Sequence, residues 1–381
     1  MEKQSYELIS GCRKVVPVHH LVYDSSRENK LMFFLLLPHR VKKILRKHPE
    51  ISIIHLNDGL MACFSLWLKK VTKLPVAVTF HGLDIVFPNR WFQKYLVPRL
   101  KRFDAFICVS RSTANECLNR GFDKGKVFIV PNGVDHKTSN NQLDLQPIKD
   151  ILRNKYGIAE GDKKLIVCLG RPVKRKGFSW FIEYVLPKLP DNCVLVLVGP
   201  QVQGGLLSFC LCMMPKRLAH QICLLLGYGT DDKRIRKLLN RPAIKQRAIR
   251  MGKLPDEMLM GLLQLSSLFV MPNIKVEGDM EGFGLVALEA SLQKKVVLAA
   301  DIDGIPEAIR NGKNGFLVPS GNFDAWTESI THLLSEKSSL AELGYKFQHY
   351  TIENFGWDKM VNDYVHIFSQ LTLKSRKDYY P

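Results

Sequence analysis

The chain has 381 residues, room for about two domains of ordinary size. Its 46% hydrophobic and 24% charged residues are those of a globular protein and exclude a disordered, collagen-like or coiled-coil chain. The 55 Lys and Arg against 36 Asp and Glu leave a net charge of +19, which implies an anionic partner: nucleic acid, an anionic membrane or a phosphate-bearing small molecule.

The N-terminal segment lacks the apolar stretch of a signal peptide, and the longest apolar runs, 31–38 and 204–215, fall short of the ~20 residues needed to span a bilayer. Short β-rich runs then alternate with helical patterns, at 51–56, 75–80, 105–110, 127–131, 165–170, 193–199, 268–272, 296–299 and 315–319. This alternation predicts βαβ units and parallel sheets. Between the fourth and fifth strands lies a polar stretch containing residues 138–142, followed by a helical pattern over 148–156. It is the best candidate boundary between domains. The predicted fold class is α/β, two Rossmann-like parallel-sheet domains facing across a cleft, with ligands at the C-terminal ends of strands. The 9 cysteines are odd in number and include no C-x-x-C pair, so they read as reduced core thiols of a cytosolic protein.

Two segments carry the chemistry. Glu281-Gly282-Phe283-Gly284-Leu285 follows the strand at 268–272, and its glycines leave backbone N–H groups unshielded where a helix begins, a ready anion site. Glu289 lies about two turns further on, so it and Glu281 cannot both cap that helix; one must reach outward to a ligand. The alternative is an acidic first turn with a solvated glutamate. The second segment is Arg171-Pro172-Val173-Lys174-Arg175-Lys176-Gly177, cations at a strand's end opening a helix, which reads as a phosphate clamp or, more blandly, as a basic turn.

Together these segments resemble the retaining GT-B glycosyltransferases of family 4, the glycosyl transferases group 1, which move sugars from nucleotide-diphosphate donors. The likeness runs from about residue 51 to the C-terminus. It includes Thr79-Phe80-His81-Gly82-Leu83-Asp84, Val130-Pro131-Asn132-Gly133-Val134-Asp135, Gly304-Ile305-Pro306-Glu307, Asn314-Gly315-Phe316-Leu317 and Phe355-Gly356-Trp357. The resemblance implies an acceptor domain over 1–147, a donor domain over 148–356 and a C-terminal helix, 357–381, returning to the first domain. It makes Arg171 and Lys176 ligands of the donor diphosphate, aided by the amides of Gly282, Phe283, Gly284 and Leu285. Glu281 then touches donor-sugar hydroxyls, Glu289 holds the ribose, and His81 orients the sugar from across the cleft. Asp58 is a weaker acceptor-side candidate, with a turn cap as its alternative reading. Asp301-Ile302-Asp303 is formally a D-x-D metal motif, but it lies where the family has a loop; it is read as a turn, and no metal or other cofactor is expected beyond the nucleotide sugar.

Family members open with a strand and a Gly-rich loop; no such pattern is recognised here, and, counted back from residue 79, the chain is expected to start after the first βα unit, at 6–10 or 15–22. It also carries an insertion at 201–230, whose apolar part fits a membrane-dipping hairpin, a cover over the cleft or a core-packing segment. The surplus cations fall in a basic amphipathic pattern at 40–47 and an aromatic–basic run at 90–102, the composition of a surface that sits on anionic lipid. The expected activity is therefore transfer of a hexose from a nucleotide sugar to a glycolipid, lipopolysaccharide or polysaccharide. The expected setting is the cytoplasm, peripheral on the inner face of the cell membrane. The alternative is a glycosyltransferase-like binding subunit, inactive for want of the Gly-rich loop. A nucleic-acid partner is disfavoured, because no zinc-finger, RRM or basic-zipper pattern occurs.

Overall fold

The structure, a computed structural model, describes residues 2–135, 143–159, 161–201, 211, 213–335 and 339–377. The chain divides into two compact units, Met1–Gly133 with Trp357–Pro381, and Val134–Gly356. The second unit thus begins ahead of the 147/148 boundary expected from the sequence. The reason is local: Val134 donates its N–H to the Phe355 carbonyl at 2.7 Å and forms a parallel bridge with Gly356, which ties it to the second unit. Residues 138–142 of the polar stretch lie outside the described residues.

The first unit opens with the helix Glu2–Cys12, so 6–10 is not a strand, and 15–22 forms no regular element. The apolar run at 31–38 and the basic pattern at 40–47 merge into one helix, Lys30–Lys47, which runs through Pro38 and is capped by Asn29 accepting from the Met32 N–H at 2.8 Å. Four strands follow, β1 (Ile54–Leu56), β2 (Val76–Phe80), β3 (Ala105–Cys108) and β4 (Val127–Ile129), in a parallel sheet of order β1-β2-β3-β4. β2 and β3 are buried at every position, the mark of strands covered on both faces. Phe80, Phe103 and Phe106 are fully buried, and Phe122 packs edge-on to Phe106 at 4.6 Å. Burial of each such ring contributes about 1.5–3 kcal/mol.

The helix Trp357–Lys377 belongs to this unit and packs against Glu2–Cys12. The two backbones approach closely: a Cβ on Gly11 would stand 2.4 Å from Val361 Cγ2. From this helix the buried Tyr364 hydroxyl reaches Thr79 Oγ1 of β2 at 2.9 Å and accepts from Gln4 Nε2 at 3.3 Å. His55 Nε2 meets the same Thr79 oxygen at 2.8 Å. Four polar side chains thereby satisfy one another in a dry place, where an unmade hydrogen bond is costly.

The second unit holds β5 (Lys164–Leu169), β6 (Cys193–Val198), β7 (Ala248–Gly252), β8 (Leu268–Met271), β9 (Val296–Asp301) and β10 (Phe316–Pro319), all parallel, in the order β10-β9-β8-β5-β6-β7. β7 was not among the expected strands. It is an edge strand carrying Arg250, which pairs with the buried Asp232, so it shows no apolar run. The strand order reverses between β5 and β8, which pair through Ile166 and Leu268. In open α/β sheets such a reversal leaves a crevice beyond the C-terminal ends of the two strands, where ligands bind. Residues 202–210 and 212 of the insertion lie outside the described residues; its latter part forms the helix Lys216–Leu226. Among the described residues no helix is long and apolar enough to cross a membrane.

The hydroxyl network predicts the effect of Tyr364→Phe. It leaves Gln4 and Thr79 short of a partner, and the expected cost is about 1–2 kcal/mol. In urea titrations the midpoint should fall with an unchanged slope; an unmoved midpoint would show the network to be idle.

Candidate active site

Both loops at the switch point carry charge. After β5 the chain passes Arg171, makes a tight turn at Lys174–Lys176 and enters a helix at Phe178. Gly177 is left-handed (φ 69°), and a Cβ there would lie 1.9 Å from the Pro272 carbonyl oxygen at the end of β8. Only glycine lets the two loops approach so closely. A main-chain bond joins them as well, Ile274 N–H to the Arg175 carbonyl at 2.9 Å.

That approach buries two cations, Arg175 and Lys176, each 8% exposed. Buried charges persist only when paired, and here the partner is Glu281. Its Oε2 meets Lys176 Nζ at 2.7 Å and Asn273 Nδ2 at 3.0 Å, and also the Arg175 guanidinium, while Oε1 takes none of these bonds. Arg175 Nε also donates to Asp279 Oδ1 at 2.9 Å. Burial pushes the Glu281 carboxyl up, but Arg175 and Lys176 outweigh it and hold the group at about 2, fully ionised. Burial draws the Lys176 ammonium below its ordinary value, against the opposing pull of Glu281. Asn273 is 2% exposed and its Oδ1 has no hydrogen-bond partner.

Of the residues singled out in this unit, the structure brings Lys176 and Glu281 into contact. Arg171 stands outside that ionic cluster as an exposed residue whose guanidinium lies against Gly227; a Cβ on Gly227 would fall 1.6 Å from its Nη1. Burial lowers the Arg171 pKa, with Arg175 adding to the effect and Glu281 and Asp279 opposing it. Gly284 is left-handed (φ 100°) and precedes the helix Leu285–Leu292, in which Glu289 is the fifth residue and partly exposed. The Phe283 ring turns inward against Phe355, so Gly282, Phe283, Gly284 and Leu285 offer a ligand only their main chain as polar groups. Arg175, Asp279 and Asn273 were missed as site members. The run of four cations at 171–176 and the acidic spacing in Glu277-Gly278-Asp279-Met280-Glu281 were the available signals.

In the first unit His81 directly follows β2. Its N–H donates to Asp84 Oδ1 at 2.9 Å, and Asp84 Oδ2 accepts from the Gly59 N–H at 3.0 Å. Gly82 between them is left-handed (φ 105°). His81 Nε2 lies 2.8 Å from the Asn57 carbonyl oxygen, which can only accept, so the ring carries its proton on Nε2 and keeps Nδ1 as an acceptor. Burial lowers the His81 pKa to about 4 and that of His55 to about 3, and raises the Asp84 carboxyl to about 6. Asp58 does what its turn-cap reading foresaw: it caps the helix Gly59–Phe64, accepting from the Met61 N–H at 2.6 Å. Elsewhere in this unit His19, His48 and Glu50 bring ligand atoms within 4.8 Å of one another. The two imidazoles stack face to face at 3.7 Å, so their in-plane lone pairs do not converge on one point.

Two all-parallel α/β units, one with a cation–carboxylate cluster at its switch point, fit the GT-B class of glycosyltransferases. Comparison with known proteins agrees. The sequence profile of Glycosyl transferases group 1 matches residues 149–350, and that of Glycosyltransferase Family 4 matches residues 2–138. The chain belongs to the glycosyl transferases group 1 family and is a hexosyltransferase-type glycosyltransferase. The GDP-mannose-dependent alpha-(1-6)-phosphatidylinositol monomannoside mannosyltransferase of Mycolicibacterium smegmatis is 26% identical over 84% of this chain and 76% of its own. An uncharacterized glycosyltransferase of Methanocaldococcus jannaschii is 23% identical over 94% of this chain and 91% of its own. Among solved structures, HepE of Anabaena in complex with UDP-glucose has the same fold, with a TM-score of 0.71 at 19% identity over 96% of this chain and 94% of that one.

Two outcomes follow from this geometry. Gly177→Ala, strained at its φ and pressed on the Pro272 carbonyl, is expected to cost about 2 kcal/mol or more, read as a lowered thermal midpoint. Acid should also destabilise the first unit. Below about pH 6.5 the unfolded chain protonates both imidazoles while the folded chain keeps them neutral, so stability falls as pH drops towards 4. Asp84 works the other way over the same range, one group against two. Urea midpoints across that interval should decline in the wild type and decline less steeply in His55→Gln; equal slopes would show that His55 does not stay neutral.

Proposed function

We propose that this glycosyltransferase transfers a sugar from a nucleotide-diphosphate donor, with retention, to a glycolipid, lipopolysaccharide or polysaccharide acceptor at a membrane surface. The observation that carries the donor reading is the Glu281 carboxylate, ionised and held through one oxygen by Lys176, Arg175 and Asn273, with its other oxygen left to accept from a sugar hydroxyl. Neighbouring Arg171 and the remaining donors of the Lys176 ammonium meet the charge that grows on the departing diphosphate, together with the amides of Gly282, Phe283, Gly284 and Leu285. Glu289 takes the ribose, and His81 orients the sugar through its main chain or its imidazole. The bond from the anomeric carbon to the phosphate oxygen breaks as the acceptor oxygen bonds to the same face of that carbon. The acceptor proton passes to the departing phosphate, so no separate base is required. Side-chain cations and amides supply the positive charge, and the proposal involves no metal ion.

The donor reading is also supported by the UDP and UDP-glucose named with HepE, and the glycolipid reading by the phosphatidylinositol monomannoside named for the Mycolicibacterium relative. The membrane reading rests on the first unit's surface. On the helix Lys30–Lys47, Leu31 and Leu35 are exposed, as are Lys42, Lys43, Arg46 and Lys47. Arg40, one of the cations in that pattern, is instead tied to Glu28 by two bonds, at 2.5 and 2.8 Å. Leu60 and Phe64 are exposed on the next helix, with Phe34 stacked on Phe64 at 4.2 Å. Trp91 and Tyr95 are exposed among Arg90, Lys94, Arg99 and Arg102. Apolar and aromatic tips ringed by cations suit an anionic lipid interface.

A thermal-shift screen of UDP- and GDP-linked sugars should identify the donor, since a ligand at 100 times its Kd stabilises by about 2.7 kcal/mol. With that donor, Lys176→Ala and Glu281→Gln are expected to lower turnover by about a hundredfold or more; full turnover in either sinks the site assignment. On phosphatidylglycerol vesicles the wild type should co-sediment and a Leu31→Glu, Leu35→Glu double variant should not. Equal recovery of the two refutes the membrane surface.

A further inference from the structure

Asp303 belongs to the D-x-D sequence for which no metal role was expected, and it stands in an uncommon place. It is one of two non-glycine residues with positive φ among the described residues, at 53°. L-residues avoid this conformation, and where one persists the surroundings hold it there. Its side chain is 7% exposed and both of its oxygens are engaged. Oδ2 accepts from the Glu281 N–H at 3.1 Å, and Oδ1 accepts from Lys275 Nζ at 3.3 Å. The next residue completes the grip, Gly304 N–H donating to the Glu281 carbonyl at 2.9 Å. The main chain of Glu281 is thus held on both sides by residues 303–304.

Lys275 opens a short hairpin, in which Val276 and Asp279 form an antiparallel bridge around Gly278 (φ 72°). The hairpin is fastened at three points: Ile274 N–H on the Arg175 carbonyl, Asp279 on the Arg175 guanidinium, and Lys275 on Asp303. Asp303 is common to the hairpin and to the peptide of Glu281. No hydrogen bond joins Asp303 to the Glu281 carboxylate itself, so any effect it has on that group runs through the main chain.

We propose that Asp303 is a positioning residue for the transfer reaction, accepting backbone strain in order to fix the Glu281 main chain and the 274–280 hairpin, so that the free oxygen of Glu281 is already aimed when the donor sugar arrives. The role rests on the assignment of Glu281 to the donor sugar. It differs from a merely structural one in sign. Glycine at 303 relieves the strained φ, so loss of the clamp and loss of stability need not run together.

The test uses the full-length protein with Asp303→Gly, Asp303→Asn, Lys275→Met and Glu281→Gln. In Asp303→Gly the thermal midpoint should hold or rise, hydrogen exchange at the Glu281 amide should accelerate tenfold or more, and kcat/KM with the donor found by screening should fall tenfold or more. The affinity for the free nucleoside diphosphate, which does not engage Glu281, should stay unchanged. Asp303→Asn keeps an acceptor for the amide and should restore most of the exchange protection and turnover. Lys275→Met should leave the Glu281 amide protected while the hairpin amides exchange faster. Unchanged exchange at Glu281 in Asp303→Gly, or activity lost only in step with the thermal midpoint, overturns the clamp. Full turnover in Asp303→Gly beside an inactive Glu281→Gln overturns the clamp and leaves the site assignment standing. Full turnover in Glu281→Gln overturns the assignment and this role with it.

Discussion

The second unit is organised around a single carboxylate oxygen. Glu281 Oε2 is where a lysine, an arginine and an asparagine side chain meet, and each comes from a loop that follows β5 or β8. Removing three charged groups from water is expensive, and the expense is offset only while each keeps its partner. The loops therefore cannot part without stranding a buried charge, and the crevice left by the reversal of strand order is kept in one shape before any ligand enters it. Fixed charge in a partly dry site needs no rearrangement as negative charge develops, and such preorganisation is the largest single source of rate in many enzymes.

The first unit solves a similar problem with the opposite chemistry. Its two buried histidines are kept neutral where the second unit's lysine, arginine and glutamate are charged. His55 joins the hydroxyls of Thr79 and Tyr364, and His81 is fixed by a carbonyl on one side and through its main chain on the other. Burial holds both imidazoles in their uncharged form at neutral pH, outweighing at His81 the opposing pull of Asp58. Asp84, which accepts from the main-chain N–H groups of His81 and Gly59, does for the β2 loop what a glycine-rich turn alone does not: it ties the loop to the start of the helix that follows β1.

What could be read from the amino-acid order follows from how local each signal is. The wholly buried strands β3 and β6 are unbroken apolar runs and were legible as such, and Lys176 and Glu281 stood out because each lies at a strand-to-helix junction with glycines beside it. β7 was hidden by Arg250, whose charge is satisfied by an aspartate 18 positions away in sequence, as no periodicity reveals. Arg175 and Lys176 are neighbours of identical charge type, and only the folded loop shows that both turn inward while Arg171 does not. Asn273 carries no motif, and the acidic spacing around Asp279 does not say where it points; both join the site because the hairpin after β8 folds back on Arg175. The expected start after the first βα unit, at 6–10 or 15–22, came from counting elements back from residue 79, and neither segment is a strand: a helix, Glu2–Cys12, and an irregular stretch occupy the place.

The bridge between Val134 and Gly356 also bears on how the chain is laid out. The polypeptide leaves its first unit at Gly133 and re-enters it at Trp357, and the two crossings lie side by side, one strand-bridge apart. The stretch from 134 to 356 is thus a guest segment with touching ends, spliced into a host whose own pieces are joined by the Tyr364–Thr79 contact. A segment of that kind closes on itself without its host, whereas the host becomes whole only after the last helix has been synthesised. The order of completion along the chain is then inner unit first, outer unit last.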